Sequence, residues 1–159
     1  MNILEKDHYG LEENSVLFTD RSLNHMSKSF QQVMIDISSM LTEVYQADAV
    51  ALVPGGGTYV MEAVARQFGK NAKVLVVRNG WFSYRWSQIF EATSDASEVE
   101  VIKARQTRNA SQSPFRPAPI EDVIARIKEM RPGIVFAPHV ETSAGVILPP
   151  PYLEALSSA

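Results

Sequence analysis

Short apolar runs alternate with amphipathic helical patterns along most of this 159-residue chain. The runs at 49–53, 73–78 and 133–137 are of the kind that parallel sheets bury on both faces, and 98–103 alternates weakly as a further strand candidate. Apolar residues recur with helical spacing at 27–45, 61–68, 81–92 and 119–130. This alternation predicts an α/β fold of three α/β/α layers around a mainly parallel sheet.

Three distinctive loops follow the runs that end at Val53, Arg78 and Ala137. Sheets of this type bind ligands beyond the carboxyl ends of their strands. We therefore expect the three loops to lie close together and to form one site.

Composition excludes several classes of function. The net charge of -3 and the lack of any Lys or Arg run argue against a nucleic-acid or anionic-membrane surface. The apolar stretches are too short to span a bilayer, and the first residues lack the apolar core of a secretory signal. The absence of cysteine excludes disulfides, thiolate metal sites and cysteine nucleophiles, and it is compatible with a cytoplasmic enzyme.

The first loop contains three successive glycines before a helical pattern. The backbone amides of Gly56, Gly57 and Thr58 can bind an anion such as phosphate at the helix N-terminus. Thr58 can add a hydroxyl hydrogen bond or serve as the N-cap. The loop matches neither the Walker motif nor the GxGxxG fingerprint, in which Val60 would have to be glycine. A plain tight turn between strand and helix explains the glycines about equally well.

The second loop opens a segment with four aromatic residues between positions 81 and 86. One ring at the loop end, Trp81 or Phe82, is the candidate for stacking on a flat ligand. The remaining rings are expected to pack in the core.

The third loop, residues 138–145, places polar and small residues directly after a strand. His139 and Glu141 are possible metal ligands, but the segment offers no third partner, so no metal site is predicted. Thr142 and Ser143 are better suited to hydrogen bonding with an organic ligand.

These three loops, together with residues 24–31, resemble corresponding motifs of the class V aminotransferases. That family consists of fold-type I enzymes dependent on pyridoxal 5'-phosphate (PLP), and the resemblance is to the alanine–glyoxylate and serine–glyoxylate type. It runs in consistent order from about Ser22 to Ala159.

The resemblance implies a cofactor site and its residues. The amides of Gly56, Gly57 and Thr58 would bind the PLP phosphate, Phe82 would stack on the pyridine ring, and Thr142 would hydrogen-bond the phenolic oxygen. It also implies a homodimer, with the helix that ends at Tyr45 near its interface.

The family's remaining essential residues have no counterpart here. These are the aspartate at the pyridine nitrogen, the Schiff-base lysine and the arginine that binds the substrate carboxylate. None of the six lysines follows the loop at 138–145. We therefore predict an N-terminal arm at 1–23, an incomplete PLP-binding large domain at 24–159, and no catalytic residue within this chain.

The leading hypothesis is the N-terminal portion of an aminotransferase, inactive alone, whose complete form moves an amino group from an amino acid to a 2-keto acid such as glyoxylate or pyruvate. The alternative is a nucleotide- or phosphate-binding α/β module without transaminase chemistry, in which Arg78 would contact a phosphate. A third possibility is a noncatalytic partner of a separate chain that carries the lysine.

Overall fold

The computed structural model describes residues 27–159, so the predicted arm at 1–23 lies outside the described residues. The described chain divides into two compact units, one up to Leu52 and one from Val53 onward. The elements, in chain order, are α1 (Lys28–Tyr45), α2 (Gly57–Phe68), β1 (Lys73–Arg78), α3 (Trp81–Thr93), β2 (Glu98–Lys103), β3 (Arg105–Gln106), β4 (Phe115–Arg116), α4 (Ile120–Met130), β5 (Ile134–Phe136), β6 (Val140–Glu141), β7 (Val146–Ile147) and α5 (Pro150–Ser157).

The first unit contains α1, which covers the predicted helix at 27–45. The hydroxyl of Ser27 caps its first turn by accepting the Phe30 N–H at 3.1 Å. No residue of α1 is buried, and Ile35, Met40 and Val44 are among its exposed apolar side chains. Among residues 27–159, no helix is both long and apolar enough to cross a membrane.

The second unit is built on a three-stranded parallel sheet in the order β2-β1-β5. β1 is central: Val76 lies opposite Val101 of β2 on one side and opposite Phe136 of β5 on the other. In chain order, α3 lies between β1 and β2, and α4 lies between β2 and β5. The predicted parallel sheet is therefore confirmed.

Successive side chains of β1 enter two separate cores. Val74 and Val76 pack with side chains of α2 and α3, including Phe90, in one cluster. Leu75 and Val77 pack with side chains of α4 and α5 in the other cluster. Because neighbouring residues of a strand face opposite sides of a sheet, these clusters define a helical layer on each face. The α/β fold and its three layers are confirmed.

Three described helices end in residues with left-handed backbone conformation. Gln46 after α1, Ser94 after α3 and Arg131 after α4 have φ values of 51°, 53° and 51°. Glycine is the residue that adopts this conformation without steric cost, yet none of these positions is glycine.

The prediction of a buried strand at residues 49–53 is wrong. These residues form no strand, and Leu52 and Val53 are 39% and 43% exposed. An apolar run becomes a buried strand only where another strand pairs with it and side chains cover its faces. No strand within residues 27–159 pairs with this run.

Two smaller differences concern the segment between β2 and α4. Residues 104–119, for which the sequence pattern predicts no strand, contain a short antiparallel ladder, in which Arg105 lies opposite Arg116. Pro119 is the residue before α4 rather than its first residue.

An ion pair connects α4 to the edge strand β2. Both the Nε and Nη2 atoms of Arg126 lie 2.5 Å from the carboxylate of Glu100.

Candidate functional site

The glycine loop precedes α2, and its backbone is accessible to a ligand. Gly55 has φ +135°, a conformation that side-chain-bearing residues rarely adopt. A Cβ atom on Gly56 or Gly57 would meet no other atom within 4 Å. These two residues are therefore not packed against the protein, and a ligand can approach their backbone closely.

The first turn of α2 fits an anion. The N–H groups at the start of a helix have no acceptor within the helix, and the helix dipole places partial positive charge there. No acidic residue lies in this turn. Gly56 occupies the N-cap position and supplies no side-chain cap, so Thr58, the second residue of the helix, is not the N-cap that was considered.

The second and third loops meet at Glu141, in β6. Its carboxylate accepts the Phe82 N–H at 3.0 Å and the Ser83 N–H at 2.8 Å, which are amides in the first turn of α3. The Ser83 hydroxyl donates to the same carboxylate at 2.6 Å. Glu141 thus caps a helix that begins about 60 residues earlier in the chain.

Ser143 reinforces this junction. Its hydroxyl donates to Glu141 at 2.5 Å and accepts the Trp81 N–H at 2.9 Å. A Cβ atom on Gly80 would lie 2.6 Å from Glu141 Cγ and 2.7 Å from Ser143 Oγ, so glycine is what allows this approach. The structure therefore brings together two of the three loops that were expected to form one site, those that follow Arg78 and Ala137.

The charge of Glu141 is stabilised inside the protein. The side chain is 0% exposed. Burial raises the pKa of this carboxyl, but the hydrogen bonds from Ser143, Ser83 and the Phe82 amide outweigh burial, and the pKa lies below its ordinary value. Protein donors occupy both oxygens, and no three His, Cys, Asp or Glu side chains within residues 27–159 are grouped to hold a metal ion.

Phe82 and Thr142 both leave their side chains free at this junction. Phe82 is 54% exposed although its amide is bound to Glu141, and Thr142 is exposed beside the same carboxylate. In the described part of the chain, the Phe82 ring has no aromatic partner. The Trp81 ring is also exposed, but it packs 5.7 Å from the Tyr84 ring.

The other aromatic residues of this segment have structural roles. The Trp86 ring stacks on Phe136 with centroids 4.2 Å apart, as expected for a core residue. The Tyr84 ring lies under the Arg78 guanidinium, whose Cζ is 4.9 Å from the ring centroid. Arg78 also donates to the Ser87 hydroxyl at 3.3 Å, so part of the guanidinium proposed as an alternative phosphate ligand is engaged with α3.

A groove of about 560 Å³ lies between α2 and α3 and is lined by Thr58 from α2 and by Arg85 and Gln88 from α3. Neither the glycines at 55–57 nor Phe82 line this groove. No hydrogen bond among residues 27–159 connects the glycine loop to Thr142 directly.

Sequence reasoning missed the capping role of Glu141 and its partner Ser83. A signal was present in the pair Asn79–Gly80 before α3. Gly80 has no side chain with which to cap the helix, so the amides of the first turn need acceptors from elsewhere. A carboxylate in the segment after β5, the parallel strand that pairs with β1, is a suitable acceptor.

Two comparisons with known proteins find similarity to aminotransferases. No family model matches the chain. The 2-aminoethylphosphonate–pyruvate transaminase of Bacteroides fragilis is 27% identical over 126 residues, which cover 79% of this chain and 32% of that protein. The crystal structure of ureidoglycine–glyoxylate aminotransferase from Bacillus subtilis superposes with a TM-score of 0.68 at 24% identity, and the match covers 90% of this chain and 35% of that one.

The two comparisons agree on the fold. The chain spans about a third of the length of each of these proteins. The structural match establishes an aminotransferase-like α/β fold.

Proposed function

We propose that residues 24–159 are the N-terminal portion of the PLP-binding domain of a class V aminotransferase, preceded by an arm at 1–23. The observation that carries the proposal is the Glu141 junction. Its carboxylate binds the Phe82 amide at 3.0 Å and lies directly beside Thr142 in the chain. The two residues that the family resemblance assigns to the cofactor ring, 60 positions apart in sequence, are thus held in one place.

The residues present fit the cofactor. The open backbone at Gly56, Gly57 and Thr58 suits a phosphate, because its amides face no acidic residue in the first turn of α2. The exposed Phe82 ring is suited to stacking on a pyridine, and the exposed Thr142 hydroxyl to a hydrogen bond with the phenolic oxygen.

When bound, PLP supplies the electron sink that makes transfer of an amino group possible. In this proposal, the backbone amides of the glycine loop bind the phosphate and Phe82 stacks on the ring. Glu141 positions Phe82 and Thr142 relative to each other. The proposed reaction moves an amino group from an amino acid to a 2-keto acid of the glyoxylate or pyruvate type. The two compared proteins are named for such acceptors.

We assign no catalytic residue within the 159 residues. Lys6, Lys28, Lys70, Lys73, Lys103 and Lys128 all precede the loop at 138–145. The proposal therefore requires the Schiff-base lysine from residues outside this sequence, and it predicts that these residues alone do not transaminate. The homodimer implied by the family resemblance and the cytoplasmic location with which the cysteine-free composition is compatible belong to the same proposal.

A binding titration tests the cofactor site without relying on activity. The probe is pyridoxine 5'-phosphate, which has the ring and the phosphate but lacks the aldehyde that reacts with surface lysines. Nitrogen-15 NMR of the full chain should show saturable shifts of the amides of Gly56, Gly57, Phe82 and Thr142. Phe82→Ala should weaken binding by roughly fivefold, because aromatic stacking contributes about 1 kcal/mol.

Two controls make the result decisive. Phe68→Ala removes another exposed ring, at the end of α2, and should leave the affinity unchanged. Pyridoxine, which lacks the phosphate, should not shift Gly56 or Gly57. If inorganic phosphate alone binds as tightly as pyridoxine 5'-phosphate, or if Phe82→Ala has no effect, the phosphate-binding module without transaminase chemistry is the better description.

A further inference from the structure

A second cavity lies at the carboxyl ends of β1 and β2. Its volume is about 420 Å³, within the range of small-molecule sites. Arg78, Asn79, Trp81, Lys103, Phe115 and Ser143 are among its lining residues. Neither Phe82 nor Thr142 lines it, so the proposed cofactor site leaves this space unexplained.

The cavity is lined by two cationic side chains. Arg78 is the last residue of β1, and Lys103 is the last residue of β2. Only one Arg78 nitrogen donates to Ser87, and a guanidinium carries five N–H groups, so further donors remain for a ligand. Within residues 27–159, Lys103 has no ion-pair partner.

The surrounding segment is basic although the whole chain has a net charge of -3. Residues 103–116 contain Lys103, Arg105, Arg108 and Arg116 and no acidic residue. Asp122 pairs with Arg105 at 2.7 Å, which leaves an excess of positive charge beside the cavity. The Glu141 carboxylate lies behind Ser143 with protein donors on both oxygens, so Arg78 and Lys103 are the charged side chains that line the cavity and face an incoming anion.

Asn79 lies at the wall of the cavity as an enclosed polar residue. It is 4% exposed, and neither its side-chain nitrogen nor its side-chain oxygen has a hydrogen-bond partner. Buried amide groups are normally paired, so the end of β1 carries an unsatisfied polar group beside the cavity.

The cavity also has an apolar part. Trp81 and Phe115 line it and are 61% and 51% exposed. Exposed aromatic rings beside two cations suit a ligand that combines a charged head with an apolar body.

We propose that this cavity binds a small organic anion. Its carboxylate, phosphonate or phosphoryl group contacts Lys103 and Arg78, and its apolar portion packs on Trp81 and Phe115. The inference does not depend on the cofactor site, because it uses different side chains.

The test is a titration of the nitrogen-15-labelled full chain with phenylphosphonate. We expect saturable shifts at the amides of Lys103, Ala104 and Ala144 and at the Trp81 indole N–H. Lys103→Gln should weaken binding by about fivefold, since it removes one charge-assisted contact from an exposed position. Lys70→Gln removes the same charge from an exposed residue outside the cavity and should have no effect.

Two further probes test the combined head and body. Methylphosphonate lacks the ring and benzyl alcohol lacks the charge, and both should bind more weakly than phenylphosphonate. Equal affinity for methylphosphonate would overturn the aromatic part, and equal effects of the two lysine substitutions would overturn the site. The two proposals are read out separately, because the cofactor site is followed at Gly56, Gly57, Phe82 and Thr142 with Phe82→Ala, and the cavity at Lys103, Ala104 and Ala144 with Lys103→Gln. Failure of one proposal is therefore distinguishable from failure of the other.

Discussion

Glu141 is the residue on which the local order of the candidate site depends. It is fully buried, and it binds donors on both sides of a junction between α3 and the loop after β5. A buried carboxylate is tolerated only when hydrogen bonds replace its water, and here two backbone N–H groups and two hydroxyls do so.

Replacing Glu141 by Gln should lower the free energy of unfolding by about 2 kcal/mol, because the neutral amide turns two N–H donors toward a cluster of donors. Urea unfolding monitored by circular dichroism measures this change. Glu154→Gln, at an exposed position on α5, is the matched control and should change stability by less than about 0.5 kcal/mol. An equal effect of both substitutions would contradict the capping role.

The same residue predicts a pH dependence. The pKa of Glu141 is lower in the folded protein than the roughly 4.3 of an unfolded chain, so its contribution is complete above that pH. The contribution is lost as the pH falls through the folded pKa. The stability difference between wild type and Glu141→Gln should therefore be constant above about pH 5.5 and shrink on acidification.

At the scale of elements, β1 determines the architecture. Its four central residues are all buried to 0% exposure, and they alternate between the two cores. Sheet and helical layers therefore both depend on the side chains of one strand.

Leu75→Ala should destabilise the protein by about 2–5 kcal/mol, since it removes buried methyl groups and leaves a cavity between β1 and the layer of α4 and α5. Val99→Ala on β2, where the side chain is 38% exposed, should cost less than about 1 kcal/mol. Chemical denaturation of both variants checks the contrast, and a small loss for Leu75→Ala would show that this face is loosely packed.

The sequence predicted an element correctly where its apolar pattern is matched by strand pairing and by side-chain packing in the folded protein. The run at 73–78 became β1 because two strands pair with it and helices cover both faces. The similar run at 49–53 did not, because pairing depends on a neighbour that no local pattern reveals. In the site, the meeting of the loops after Arg78 and Ala137 followed from strand polarity. The buried contacts of Glu141 did not, since they link residues 58 positions apart.

At the scale of the whole molecule, the two compact units contribute differently. The unit from Val53 onward contains the glycine loop, the Glu141 junction and the basic cavity, so the proposed ligand contacts lie within one unit. Its charge is unevenly distributed, with the basic segment at 103–116 set in a chain of net charge -3. Ligand binding at either place is therefore expected to depend on local rather than overall charge.

Substituting the residues with left-handed backbone conformation at the helix ends should raise the global stability of the protein. Ser94 and Arg131 each bear the steric cost of a positive φ that glycine would avoid. Ser94→Gly and Arg131→Gly should each raise the free energy of unfolding by about 0.5–1 kcal/mol, and thermal unfolding measures the gain. Arg131→Ala is the control: it removes the same side chain but keeps the strain, so it should give no gain. A protein carrying both glycines would be a tolerant background, in which even disruptive substitutions at the ligand sites leave enough folded molecules to measure binding.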